Sequence, residues 1–230
     1  MTKAMFLAAA LALASSPGVV PAAQQSDYPS RPVRLVVTFP PGSGADIMAR
    51  IIGQKLTESF GQQVIVDNRA GAAGIVGTEI VARANPDGYT LVMVTSAHTI
   101  NGSVYAKLPY DPVRDFAPIT MLASTPYLLV VHPSVPAKSL SDLIALAKSK
   151  PGQINYATGG IGVGSHLAGE LLKTMTGIDI VVVPYKGAPP ATADVVAGQV
   201  QMTFSTMPTG LPLVKAGKLR VLGVTSAERV

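Results

Sequence analysis

The sequence predicts an α/β fold, and three observations carry that expectation. Short apolar runs with strand character recur along the 230 residues, separated by stretches with helical spacing. Several of these runs are continuously apolar, as expected of a mostly parallel sheet with helices over both faces. The strand-to-helix junctions carry Pro/Gly turns followed by Ser and Asp at capping spacing.

Taken in order, strands are expected over 33–39, 63–66, 90–95, 127–132, 154–157, 180–183, 200–204 and 219–224. Helices are expected over 45–60, 75–84, 140–149, 165–176, 190–197 and 211–216. Ser43 with Asp46, and Ser139 with Asp142, pair a side-chain cap with a carboxylate one turn on. Gly61, Gly177 and Gly217 stand where helices should stop. In the first helix Ile47 and Ile51 mark one edge, while Ile52, Leu56 and Phe60 extend a broad apolar face toward a sheet. The stretch 101–118, with its prolines and the charged run 111–115, interrupts the alternation and reads as a wrap or crossover. A lobe boundary near 124–126 divides the chain into a first lobe, 27–125, and a second, 126–230, that includes the start of a return crossover.

The amino terminus reads as an address. Lys3, an apolar run over 5–14 and small residues with prolines over 15–23 make a secretory leader, 1–22, with cleavage after Ala22 and Ala23 as the alternative. The run is shorter than the roughly 20 residues a membrane helix needs. The absence of cysteine excludes disulfides, thiol nucleophiles, cysteine-ligated zinc and a lipidated cysteine after the leader. Hydrophobic residues at 48% against 13% charged exclude a disordered chain. The formal charge of +5 is scattered, and the tyrosines and phenylalanines are not interleaved with it, which argues against a nucleic-acid surface. Three dispersed histidines give no metal-ligand spacing, so neither metal nor cofactor is expected.

Two stretches could carry chemistry. In Phe39-Pro40-Pro41-Gly42-Ser43-Gly44-Ala45-Asp46 a strand runs through a Pro/Gly turn into a capped helix, a geometry that offers free N–H groups to an anion. The bland reading is an ordinary turn whose serine caps its own helix. Lysine-bearing phosphate-loop spacing is absent. The second stretch, Thr158 to His166, is glycine-rich and again precedes a helix. Its glycines lack the dinucleotide fingerprint. Ser165 and His166 invite a hydrolase reading, but adjacent residues at a helix start point about 100° apart and cannot act as nucleophile and base. If the two stretches face each other, their helix ends converge across one cleft, where a short di- or tricarboxylate fits.

The runs Val37–Asp46, Val66–Gly74, Asn85–Leu91, Tyr110–Phe116, Gly164–Leu167 and Pro184–Gly187 closely resemble the substrate-binding proteins of tripartite tricarboxylate transporters, also called Bug receptors. The resemblance implies a type II periplasmic-binding-protein-like fold of two α/β lobes with a hinge and a central cleft. It implies a periplasmic, non-catalytic, monomeric receptor for a small organic acid, and a partner permease of one large and one small membrane subunit. By motif position it assigns Phe39, Pro41, Gly42, Ser43, Gly44 and Asp46 to the first lobe's ligand loop, and Ser96, Ala97 and Thr99 to the loop after the strand 90–95. Thr158, Gly160, Ser165 and His166 form the second lobe's side, and Pro184, Tyr185 and Gly187 a further cleft loop. Ser205 stands where many relatives place an aspartate, and Asp46 either caps its helix or selects an amine or hydroxyl. Members of the family continue well past 218–225, so the C-terminal completion of the first lobe is expected to be missing. Two rival readings are a secreted hydrolase or lyase using the same cleft and a docking protein for a signalling receptor.

Overall fold

A computed structural model describes residues 28–228. The proposed leader, 1–22, lies outside the described residues.

Two sheets organise the chain. The first is three-stranded and parallel, with β1 (Val33–Val37) between β2 (Val64–Asn68) and β3 (Thr90–Met93). The helix α1 (Gly44–Phe60) connects β1 to β2, and α2 (Ile75–Ala82) leads to β3. Val33, Leu35, Val37, Ala49, Val64 and Met93 form the core of this half, with Met48, Leu56 and Phe60 packed against them. Ile51 is 53% exposed, so the buried face of α1 runs through Ala49 and Leu56 rather than along the edge that Ile51 marks.

The second sheet has five strands in the order β6-β5-β7-β4-β8. These are β4 (Tyr127–Val131), β5 (Ile154–Thr158), β6 (Ile180–Pro184), β7 (Met202–Thr206) and β8 (Arg220–Val224). Alternate residues of β4 enter different cores: Leu129 and Val131 pack with Leu143, Tyr156 and Met202, while Leu128 and Val130 pack with Ala157, Val195 and Leu219. Helices therefore cover both faces, which is why the strand reads as one apolar run. They are α4 (Leu140–Ser149), α5 (Gly164–Thr176), α6 (Ala188–Val196) and α7 (Met207–Lys215).

All eight expected strands form, with ends shifted by a residue or two. Parallel pairing holds throughout the first sheet and for β5 with β6 and β7, but β4 runs antiparallel to β7 and β8. Strand β4 enters from the other half through an extended connector, so no right-handed helical crossover within its own sheet sets its direction. The helix caps behave as the spacing predicts: Ser139 and Asp142 form a reciprocal capping box, and Gly61 and Gly177 end their helices in left-handed conformations.

One helix was not expected. Residues Ala97–Val104 form α3, where the sequence reads as a turn-rich region from 101 onward. The segment has β-branched and polar residues and an internal glycine, and its start is met only by the Thr95 hydroxyl, which accepts from the Ala97 N–H at 3.3 Å, so its local preference for helix is weak. Tertiary contact holds it instead, through the buried Ala97 and Asn101. Beyond it, the connector to β4 is tied by an aromatic knot in which His98 stacks on Tyr110 at 5.9 Å and Phe116 meets both rings edge-on.

Candidate functional site

The first loop is built around its own hydrogen bonds. Ser43 accepts from the Asp46 N–H at 3.3 Å, and Asp46 accepts from the Gly42 N–H at 2.9 Å. The second oxygen of Asp46 accepts from Asn68 at 3.0 Å and pairs with Arg50 at 3.0 Å. Burial pushes the Asp46 carboxyl up, yet hydrogen bonds from Arg50, Gly42 and Asn68 together bring it below the ordinary carboxylate value. Asn68 also donates to the Phe39 carbonyl at 3.0 Å, which ties this loop to the chain leaving β2.

That second segment, Arg69 to Gly74, differs. Asp67 accepts from Arg34 at 2.8 Å and from Arg69 at 2.9 Å, so the charges around the motif compensate one another. Ala72 and Ala73 then adopt left-handed conformations at φ 45° and 52°, and a short 3-10 turn, Ala72–Gly74, leads into α2 without any side-chain cap. The carbonyl of Ala73 accepts from Asn101 at 3.0 Å. The N–H groups of Ala70 and Gly71 make no hydrogen bond among the described residues.

These segments form one wall of a cavity of about 600 Å³, and the second half of the chain forms the other. Thr38, Phe39, Pro40, Ala70 to Gly74 and Tyr105 line the first wall; Gly159, Gly160, Ile161 and Pro184 to Gly187 line the second. Among the described residues that line it, Lys186 alone is charged, and it is exposed. The walls touch at Gly187, where φ is 120° and any side chain would overlap the ring of Pro40. Only glycine meets both conditions. Tyr185 turns its hydroxyl away to Asp194 at 2.6 Å, and that hydrogen bond, aided by burial and the Asp194 charge, pushes the phenol up to about 12.

Of the residues singled out from sequence, Phe39, Gly160, Pro184, Tyr185 and Gly187 line the cavity. Pro41, Gly42, Ser43, Gly44 and Asp46 stand beside it: the Gly44 backbone packs on Thr206, and Gly42 lies near Pro189. Thr158 and Ser165 are buried and bond to each other through their hydroxyls at 2.9 Å. The His166 ring accepts from the Gly162 N–H at 3.4 Å, so neither Ser165 nor His166 forms a nucleophile–base pair. Ser96 stands beside the Tyr127 phenol, which burial pushes up despite that polar neighbour. Ala97 is buried, Thr99 donates to the Ser96 carbonyl at 2.9 Å, and Ser205 is buried against Gly210. The lining residues that sequence reasoning did not assign are mainly Ala70 to Gly74, Tyr105, Ile161 and Lys186. The Gly-Ala-Ala-Gly run after a strand and the lysine inside Pro184–Gly187 were the available signals. Among the described residues no helix is long and apolar enough to cross a membrane, and no His, Cys, Asp and Glu cluster is arranged to hold a metal ion.

Comparison with known proteins agrees with this architecture. The chain is 39% identical over 221 residues to a UPF0065 protein in the tcbD-tcbE intergenic region of Pseudomonas sp. (strain P51), covering 96% of this chain and 66% of the relative. It is 37% identical to protein BugT of Bordetella pertussis, covering 92% of this chain and 66% of BugT, so it spans just under two thirds of these relatives' length. Among solved structures, Rpa4515 of R. palustris with adipate is 42% identical with a TM-score of 0.86, covering 88% of this chain and 68% of that one. MatC of Rhodopseudomonas palustris with bound malate is 32% identical with a TM-score of 0.82, covering 88% and 69%. The family model described as tripartite tricarboxylate transporter family receptor matches residues 48–230. The chain therefore belongs to the tripartite tricarboxylate transporter receptor family.

Proposed function

We propose that this protein is a periplasmic receptor that captures a small organic carboxylate between its halves and delivers it to a tripartite tricarboxylate transporter-type permease. One observation carries the reading: both halves contribute glycine-rich backbone to a single cavity of about 600 Å³ whose one charged lining residue, Lys186, is cationic. Relatives solved with adipate and with malate make a dicarboxylate the first candidate. Hydrogen bonds to a charged group contribute about 1.5–3 kcal/mol each, so a few backbone donors, after ordering costs, reach the roughly 8 kcal/mol of micromolar affinity without a buried arginine.

Ligand held by both walls stabilises the closed arrangement more than the open one, so binding shifts a hinge equilibrium that the permease reads. We place the hinge in the connector near Ser124–Pro126, between lobes 27–125 and 126–230. The hydroxyl of Ser165 faces Thr158 rather than a histidine, which favours binding over turnover. Titration calorimetry against adipate, malate, tricarboxylates, amino acids and aromatic acids should show saturable heat with at least one carboxylate. Heat with none of them would overturn the reading.

A further inference from the structure

Asn101 occupies a position that neither the family motifs nor the cavity lining accounts for. It is 1% exposed on α3, and its amide N–H donates to the carbonyl of Ala73 at 3.0 Å. The orientation of the amide follows from chemistry, since a carbonyl partner demands the nitrogen. Its oxygen has no hydrogen-bond partner among the described residues. That oxygen faces the second half of the chain, 3.4 Å from where a side chain on Gly162 would begin. Asn101 thus stands at the seam between the walls, with one end fastened to the first.

The residue it fastens is unusual. Two successive alanines in left-handed conformation are unfavourable for L-residues, and such strain persists only where the surroundings enforce it. No side chain caps the turn or the helix that follows; the Thr78 hydroxyl donates to the Gly74 carbonyl at 2.8 Å from within α2, and Asn101 supplies the side-chain hydrogen bond to the left-handed alanines themselves. We infer that Asn101 is the positioning residue of the cavity: it locks Ala72 and Ala73 in the left-handed form that aims the backbone of the Ala70–Gly74 segment at the ligand. The inference rests on the carboxylate-receptor reading for its consequence, though not for its geometry.

The test pairs a disruption with a rescue. Asn101→Leu keeps the branched outline and the number of side-chain heavy atoms and removes the donor; Asn101→Asp keeps the shape and replaces the donor by an acceptor. Either variant should bind the acid found for the parent at least tenfold more weakly and raise amide hydrogen exchange at Gly74 and Ile75, whose N–H groups close the turn on Gly71 and Ala72, with little change elsewhere. Adding Ala73→Gly, which adopts φ 52° without strain, should return the affinity of Asn101→Leu to within about threefold of the parent. A purely packing role for Asn101 would not be rescued by a glycine on another segment. Unchanged affinity and exchange in both variants, or a loss that glycine leaves in place while exchange rises across the whole first sheet, would overturn the inference. If the parent binds no acid in the panel, the receptor reading fails while Asn101 is still judged by exchange: a rise confined to Gly74 and Ile75 supports it, and no rise sinks it.

Discussion

The first half of the chain contains two strand-to-helix loops, and the difference between them explains where the cavity lies. The loop into α1 ends in Ser43 and Asp46, which take up the N–H groups of Asp46 and Gly42 within the loop itself. The loop into α2 has only alanine and glycine at the corresponding place, and its backbone lines the cavity. A well-capped helix end satisfies itself, whereas an uncapped one leaves its donors for something else. The loop that lacks polar side chains is thus the one that leaves backbone N–H groups beside the cavity.

The sharpest way to break this contrast is Asp46→Ala. Asp46 is 3% exposed and holds Gly42, Asn68 and Arg50 together, so its loss should lower stability by about 2–3 kcal/mol in urea unfolding. Affinity of the folded variant should change less than about threefold, because the loop serves its own helix. Because the folded carboxyl titrates below its unfolded value, its stabilisation is fully present above about pH 4 and is lost as pH falls through the folded pKa. The variant should therefore lose less stability than the parent on acidification. A large fall in affinity with stability intact would place the Gly42–Asp46 end of the first loop, and not only Phe39 and Pro40, in the site.

The mirror-image substitution is Ala72→Val. A β-branched residue at φ 45° is strained, and its added methyls stand on the cavity wall. Stability should fall by about 1–2 kcal/mol while affinity, read by calorimetry, falls at least tenfold. Equal losses from Asp46→Ala and Ala72→Val in both assays would erase the distinction between the loops.

How much of this was legible in the sequence follows from the same physics. The strands and most helices were legible because their apolar runs and caps are local signals: Ser139 with Asp142 announces α4 without help from the rest of the chain. Helix α3 was not, because its stability comes from Ala97 and Asn101 packing against a distant segment. Motif position led to Phe39, Gly160, Pro184, Tyr185 and Gly187, which line the cavity, and also to polar residues such as Ser43, Ser165 and Ser205, which the fold buries in their own bonds or cores. Alanine and glycine at 70–74 carry no side-chain signal; what matters there is a backbone conformation, set by Asn101 some thirty residues on.

Lys186 tests the contrast on the opposite wall. As the charged lining residue it should act through field rather than fixed contact, since it is exposed. Lys186→Met should weaken carboxylate binding by about three- to tenfold and flatten its dependence on ionic strength, while Lys186→Arg retains both. A Lys186→Met variant with the salt dependence of the parent would show that neutral donors alone hold the acid.

The smallest effect is expected at Tyr185, which lines the cavity yet behaves like the residues of the self-satisfied loop. Its hydroxyl is committed to Asp194 at 2.6 Å and stays protonated up to about pH 12, so it neither ionises in any physiological range nor faces the ligand. Tyr185→Phe keeps the ring on the wall and deletes only that bond. Affinity should remain within about twofold, and stability should fall by about 1 kcal/mol. Should affinity instead drop tenfold at unchanged stability, the hydroxyl would have to leave Asp194 for the ligand, and a bond made within one half would no longer mark a group as unavailable to the cavity.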